Sequence, residues 1–199
     1  MTAFHKIMKA IRVHELGGVD KLTLEEIEKP TIKSDEVLIK VAAAGINYAD
    51  TMMRSGNYPT KPELPFTLGY EAAGTLSEIG GDVKHLKLGQ RVLATTISGG
   101  YAEFASAKAN ATMPIPDELG FGESTALLVQ GLTALGMLNG TKSGETILIH
   151  AAAGGVGTLL VQLAKHKGLK VIGTASSSAK LETVAKLGAD VCINYSEDD

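Results

Sequence analysis

The spacing of apolar positions changes partway along the chain. Up to Pro116 they come in short runs that alternate with polar residues or stay apolar for a strand's length: Met8–Leu16, Leu22–Pro30, Glu36–Asn47, Ala72–Gly80, Gln90–Thr96 and Tyr101–Ala109. Runs of this length and period read as β-strands. Gly17-Gly18, Pro30, Gly80-Gly81, Gly89 and Gly99-Gly100 fall between them as turn signals. Only Asn47–Ser55 departs from the pattern, as a short helix. The first region is therefore expected to form a compact, barrel-like β unit that ends near Pro116.

Beyond Pro116 the period becomes helical. Glu123–Leu138 has helical spacing and stops at Asn139-Gly140, a C-terminal signal. Ile147–His150 reads as a short buried strand. Val156, Leu159, Leu160 and Leu163 then share one helical face, with Lys165 and Lys167 turned away from it. Lys170–Thr174 is a second strand, Ser178–Ala189 a second helix ending at Gly188, and Val191–Tyr195 a third strand. Strands alternating with helices of this length imply parallel βαβ units. The expected fold class is α/β, with a β-barrel domain over residues 8–126 and the first half of a dinucleotide-binding domain over residues 127–199.

Composition narrows the function classes. With 199 residues, 44% hydrophobic and 21% charged, the chain is ordinary for a soluble globular protein of one large domain or somewhat more. Its 19 basic and 22 acidic residues are well mixed and give a net charge of −3. That balance offers neither a basic face for nucleic acid nor a polybasic membrane anchor. Cys192 is the single cysteine, which excludes a disulfide framework and fits a cytoplasmic location. No apolar run reaches membrane-spanning length. The first seven residues, MTAFHKI, lack the apolar core of a signal peptide and precede a second methionine; they read as a leader or a misplaced start.

The candidate chemistry begins at the strand-to-helix turn HAAAGGVG, His150 to Gly157. A helix N-terminus presents unpaired backbone N–H groups, and its dipole favours an anion. A pyrophosphate can approach only if the backbone there is bare. Gly154, Gly155 and Gly157 supply this, with Ala152 where the usual first glycine would stand, and Ala153 and Val156 completing the stretch. The same residues would also suit a tight strand–helix junction that needs small side chains only for packing. A strand before, a helix after and a second strand at the right distance favour the dinucleotide reading. At the end of that second strand, NAD sites commonly carry a carboxylate for the ribose hydroxyls. None occurs from Gly173 to Lys180, where Ser176 and Lys180 could instead bond a 2′-phosphate. NADP(H) is therefore favoured over NAD(H). Ser176–Ser178 could also cap the next helix, and both roles can hold together.

The stretches AGINYADTMMRSGNYP, LPFTLGYEAAGTLSEIG, VQGLTAL and HAAAGGVG occur in order, and together they closely resemble the zinc-independent quinone oxidoreductases. This is the zeta-crystallin group of the medium-chain dehydrogenase/reductase superfamily. The resemblance runs from Met8 to Asp199. It implies a GroES-like β domain followed by a Rossmann domain, with NADPH in the cleft between them. Zinc-dependent relatives carry a Cys in the segment matching AGIN and a His in a Gly-His-Glu motif. Here Asn47 and Gly69-Tyr70-Glu71 stand in those places. Catalytic zinc needs about three protein ligands, so no metal site is expected, and His150 is read as a packed structural residue. By resemblance Asn47, Asp50 and Tyr58 line the nicotinamide and substrate pocket, with Asn47 and Tyr58 as catalytic candidates. Asn47 could donate to a carbonyl oxygen or orient the cofactor, and Tyr58 could supply a proton through water. Asp50 is read instead as a salt-bridge partner of Arg54, four residues on. Met52 stands where the family often has tyrosine, which puts the usual substrate preference in doubt. Gln130 and Thr133 match positions near the nicotinamide but could be ordinary helix residues. Tyr195 joins Ser176 and Lys180 around the 2′-phosphate by the same resemblance.

The expected function is NADPH-dependent reduction of a quinone or another α,β-unsaturated carbonyl by hydride transfer without zinc. The alternatives are an alkenal or enoyl reductase of the same superfamily, and a non-catalytic nucleotide-binding fragment. The partners expected are the small-molecule quinone or enone, and a second copy in a full-length homodimer; no nucleic acid or membrane partner is expected. A dinucleotide fold uses two βαβαβ halves, and Ile147–Tyr195 supplies the first. The chain is thus expected to be a truncated form of a protein of roughly 320–340 residues. Such a form would bind NADPH weakly, turn over little and expose a sheet edge.

Overall fold

The computed structural model describes residues 7–197, so the leader or misplaced-start reading of Met1–Ile7 lies outside the described residues except for Ile7, which opens the first strand. The chain forms two compact units, Met1–Leu128 and Val129–Asp199.

In the first unit, β1 (Ile7–Val13) pairs antiparallel with β2 (Leu22–Glu28) and with the two-residue β4 (Phe66–Thr67). A five-stranded antiparallel sheet has the order β7-β3-β5-β6-β8. Its strands are β3 (Glu36–Ala44), β5 (Glu71–Ile79), β6 (Arg91–Thr95), β7 (Phe104–Lys108) and β8 (Thr112–Pro114). Val37, Ile39, Leu76, Leu86, Val92, Ala94 and Ala107 form the core beneath it. The β3–β5 register shifts twice, between Leu38 and Ile39 and between Val41 and Ala43. A bulge bends a strand and re-aims the chain beyond it; the second shift lies just before Asn47. The sequence pattern shows no sign of β4 or β8, which are too short to carry a period. Pro114 closes β8 on the edge of its sheet, where the missing N–H is tolerated.

In the second unit, β9 (Thr146–Ile149), β10 (Lys170–Ala175) and β11 (Val191–Asn194) form a parallel sheet of order β11-β10-β9. The connections are α3 (Gly155–His166) and α4 (Ser178–Lys186). Leu160, Val161, Ala164, Val171 and Val184 are buried between helices and sheet, with Val156, Leu159 and Leu163 packed against them. The apolar stripe expected from the sequence therefore faces the core. The lysines expected to point away both reach back across the unit. Lys165 Nζ pairs with Asp190 at 2.8 Å, and Lys167 Nζ donates to the Leu138 carbonyl. Their long stems lie along the unit while the cations find oxygen partners at its rim.

The helix expected to start at Glu123 begins earlier, as α2 (Phe121–Met137), and runs across the division between the units. Capping explains the difference. Glu123 Oε2 accepts from the Gly120 N–H at 2.6 Å, so Glu123 belongs to the first turn rather than starting the helix. Arg91 gathers the carbonyls of Pro116, Asp117 and Leu119, and its guanidinium lies 4.7 Å from the centre of the Phe121 ring. The helix expected to reach Ala189 ends at Lys186, because Gly188 takes a φ of +108° that other residues resist.

Candidate functional site

The first cluster lies at the end of β3 and in α1 (Tyr48–Ser55). Asn47 is the residue before the helix, and Asp50 is its third helical residue. The Asn47 N–H donates to Asp50 Oδ2 at 2.8 Å, which ties down the helix start. Tyr101 Oη donates to the same carboxylate oxygen at 3.0 Å. Asp50 is buried, and its predicted pairing with Arg54 does not occur: Arg54 donates to the Gly17 carbonyl instead. The cap position, with an Asn three residues ahead of an Asp, decides this over i,i+4 pairing. Burial, and next the charge of Asp50, push the Tyr101 phenol well above its ordinary range, so it stays protonated and donating.

Asn47 is itself buried, and its Nδ2 donates to Glu71 Oε1 at 2.9 Å. Glu71 is fully buried at the start of β5. A Cβ on Gly45 would overlap the Glu71 carboxylate, so the glycine makes room for it. Met52 and Tyr58 come together where the chain leaves α1, with the Tyr58 N–H on the Met52 carbonyl at 3.2 Å. Ile46, Tyr48 and Tyr70 are exposed and flank Asn47 and Glu71 in sequence. Sequence reasoning meets Glu71 only as the last residue of the Gly69-Tyr70-Glu71 stretch and gives it no role, and nothing in the spacing marks Tyr101; the N-x-x-D cap could flag Asp50.

The second cluster is the turn between β9 and α3. Gly154 precedes α3 with an extended backbone and no side-chain cap, so the first-turn N–H groups are not closed by a side chain. Ala151 holds a left-handed φ of +50°, rare for a residue with a Cβ. Ala152 is fully buried, with its N–H on the Thr174 carbonyl, which locks the turn to β10. The glycines differ in what they do. A Cβ on Gly157 would lie 2.5 Å from the Ala151 carbonyl oxygen and 2.7 Å from Ala152 Cα, so Gly157 is required by helix–strand packing. A Cβ on Gly154 would meet only the Ala151 oxygen, at 3.2 Å. At Gly155 the neighbour is the Gln130 side-chain amide.

A cleft of about 160 Å³ opens at this turn, lined by Ala151, Ala153, Gly154, Ala175, Ser176, Lys180 and Tyr195. No carboxylate lines it. Lys180 Nζ donates to Ser176 Oγ at 3.1 Å, so the cation and the hydroxyl already sit together. The residue that precedes α4 is Ser177, and its side chain makes no cap bond. Capping therefore leaves the neighbouring Ser176 hydroxyl to Lys180. Thr133 spends its hydroxyl on the Val129 carbonyl of its own helix, at 2.6 Å. His150 is exposed rather than packed: β9 ends one residue earlier, at Ile149, and the ring reaches only Thr174 Oγ1 at 3.4 Å. Among the described residues, no group of three or more His, Cys, Asp or Glu side chains could hold a metal ion, and no helix is long and apolar enough to cross a membrane.

Comparison with known proteins gives two family matches. The alcohol dehydrogenase GroES-like domain matches residues 33–117, and the zinc-binding dehydrogenase family matches residues 155–199. A quinone oxidoreductase of Rattus norvegicus is 42% identical over 202 residues, covering 99% of this chain and 61% of that protein. The structure of Escherichia coli quinone oxidoreductase complexed with NADPH superposes with a TM-score of 0.90 at 38% identity, covering 96% of this chain and 60% of that one. The quinone oxidoreductase from Coxiella burnetii gives a TM-score of 0.93 at 38% identity, covering 98% of this chain and 64% of that one. The chain thus spans about 61% of the length of the curated relative from rat.

Proposed function

From the premise that the chain belongs to the quinone oxidoreductases of the medium-chain dehydrogenase/reductase superfamily, we propose that it carries the NADP(H)- and substrate-binding residues of an NADPH-dependent quinone reductase that works without zinc. The cleft beside the Gly154 turn is the observation that carries this reading. A dinucleotide fits it chemically. The bare first turn of α3 suits a pyrophosphate, and Ser176, Lys180 and Tyr195 suit a 2′-phosphate at the end of β10. The rest of the cofactor stretch, Ala152, Ala153, Gly155, Val156 and Gly157, shapes the turn; Gln130 packs on it, and the same reading keeps Thr133 near the nicotinamide.

Zinc does not fit. Asn47 is an amide engaged with Glu71, Tyr70 is no metal ligand of the required kind, and Cys192 lies in the other unit with its sulfur 3.9 Å from the Leu181 carbonyl. When bound, the reduced nicotinamide supplies a hydride, which with one proton converts a quinone to its hydroquinone. The chain's own part is to orient the reactants and exclude water. Asn47 and Tyr58 are the polar groups that meet the substrate in this reading, with Tyr58 delivering the proton through water. Met52, in place of a tyrosine, makes that wall more apolar, and other activated alkenes belong to the same electrophile class. A cytoplasmic homodimer completes the proposal. The test is NADPH consumption with phenanthrenequinone before and after exhaustive chelation, with enals as comparison substrates. Equal rates are expected. A rate that vanishes with chelator and returns with zinc contradicts the reading, and NADPH binding with no turnover reduces it to a nucleotide-binding role.

A further inference from the structure

We propose that His150 is a further cofactor-binding residue: its imidazole donates to the pyrophosphate where a dinucleotide passes over the Gly154 turn, from the Ser176 cleft into a second cleft alongside β9. The inference deepens the reading of that turn as an NADP(H) site and rests on it. The second cleft, of about 420 Å³, shares Ala151 and Gly154 with the first, so the two meet at the turn. Its walls include Leu148 and Ile149 of β9 and Val156 and Leu160 of α3, and His150 is the one nitrogen- or oxygen-bearing side chain lining it among the described residues. A few placed polar groups in an apolar cleft are what orient a ligand. Neither cleft is lined by a carboxylate that would repel a phosphate. The imidazole has a nitrogen to spare. Nδ1 lies 3.4 Å from Thr174 Oγ1, and Nε2 has no hydrogen-bond partner among the described residues. A Thr174 hydroxyl that donates to Nδ1 leaves the proton of the neutral ring on Nε2, a tautomer assigned from this contact, and the charged ring carries a proton there as well. Nε2 is thus a donor in both states, and a phosphate oxygen is its natural acceptor. Ala151, the next residue, holds the φ of +50° that turns the chain away from β9, leaving His150 exposed and Ala152 buried. Backbone strain of this kind clusters at ligand sites.

The experiment is calorimetric titration of the 199-residue chain with three probes. They are NADPH, 2′-phosphoadenosine diphosphoribose, which lacks only the nicotinamide, and 2′-AMP, which lacks the pyrophosphate as well. His150→Ala is expected to lower affinity for the first two at least about fivefold and to leave 2′-AMP unchanged. His150→Gln, whose side-chain N–H can stand in for Nε2, is expected to restore most of that loss. Lys180→Ala reports on the underlying site and is expected to weaken all three probes. Because the ring is exposed, its replacement should leave the fold intact. Three results overturn the proposal alone: affinities in His150→Ala within about twofold of the wild type, a loss confined to NADPH, or an equal loss for all three probes. A wild-type chain that binds none of the three sinks the NADP(H) reading of the cleft, and the role of His150 falls with it.

Discussion

The two clusters are built in opposite ways. Around Asn47, buried and half-buried polar side chains satisfy one another: half-buried Tyr101 on Asp50, the Asn47 backbone on Asp50, Asn47 on Glu71. Around Gly154 the side chains are small, and the cleft is lined by alanines and a glycine together with the Lys180 cation and the Ser176 and Tyr195 hydroxyls. The first cluster is costly to disturb because each removed partner strands another buried group. The second tolerates change wherever a side chain meets no backbone, and is sensitive where helix and strand touch. Preorganisation thus comes from polar contacts in one unit and from small side chains in the other.

Substitutions can break this contrast, beginning with the largest effect. Gly157→Ala should cost about 2–4 kcal/mol in urea unfolding, because its Cβ meets only rigid backbone. Gly154→Ala, whose nearest neighbour is a single oxygen at 3.2 Å, should cost less than about 1 kcal/mol while weakening NADPH binding. Equal losses at the two positions would mean that the glycines share one role. Glu71→Leu should cost about 1–3 kcal/mol in the same assay, the penalty for leaving the Asn47 amide without its acceptor. A neutral outcome would show that the polar cluster is not mutually dependent.

Tyr101→Phe should cost about 0.5–1.5 kcal/mol at neutral pH. It also carries a pH signature. The phenol is held above its unfolded value, so its contribution is complete below about pH 10 and is lost as the pH rises through the folded value. Alkaline unfolding curves of the wild type should therefore fall more steeply than those of Tyr101→Phe; parallel curves would remove the hydroxyl from the network. The smallest effect is expected at Asp190. Its carboxyl is held below the usual range, first by the hydrogen bond from Lys165 and next by the Val171 N–H. That contribution is present above about pH 4 and disappears as the pH falls below it. Asp190→Asn should flatten the acid limb of the stability profile slightly, and a steeper acid limb would be the wrong sign.

The legibility of the two clusters reflects the same contrast. The Gly154 turn is readable from the chain because backbone requirements leave a mark in residue type: small residues, then a helix, then a strand end without a carboxylate. The βαβ order is legible for the same reason, through the switch from a period of two to one of 3.6. The Asn47 cluster is half legible. Asn47, Met52 and Tyr58 come from family resemblance, whereas Glu71 and Tyr101 reach Asn47 and Asp50 from 24 and 51 residues away, and no local pattern encodes that. Pairing of Asp50 with Arg54 is suggested because i,i+4 spacing is visible in a sequence, while the competing cap at the helix start depends on where the helix begins. His150 looks packed because it comes after an apolar strand, yet the strand stops one residue before it.

The central claim is that Ser176, Lys180 and Tyr195 form the 2′-phosphate subsite of a bound NADPH, and Lys180→Ala tests it most directly. Calorimetric titration of the wild-type chain and the variant with NADPH and with NADH separates a phosphate contact from a general loss of structure. NADPH affinity should fall by about 1–3 kcal/mol, the size of a lost charge-assisted hydrogen bond, while NADH affinity stays within error of the wild type. Equal losses for the two cofactors, or no loss for either, would contradict the account.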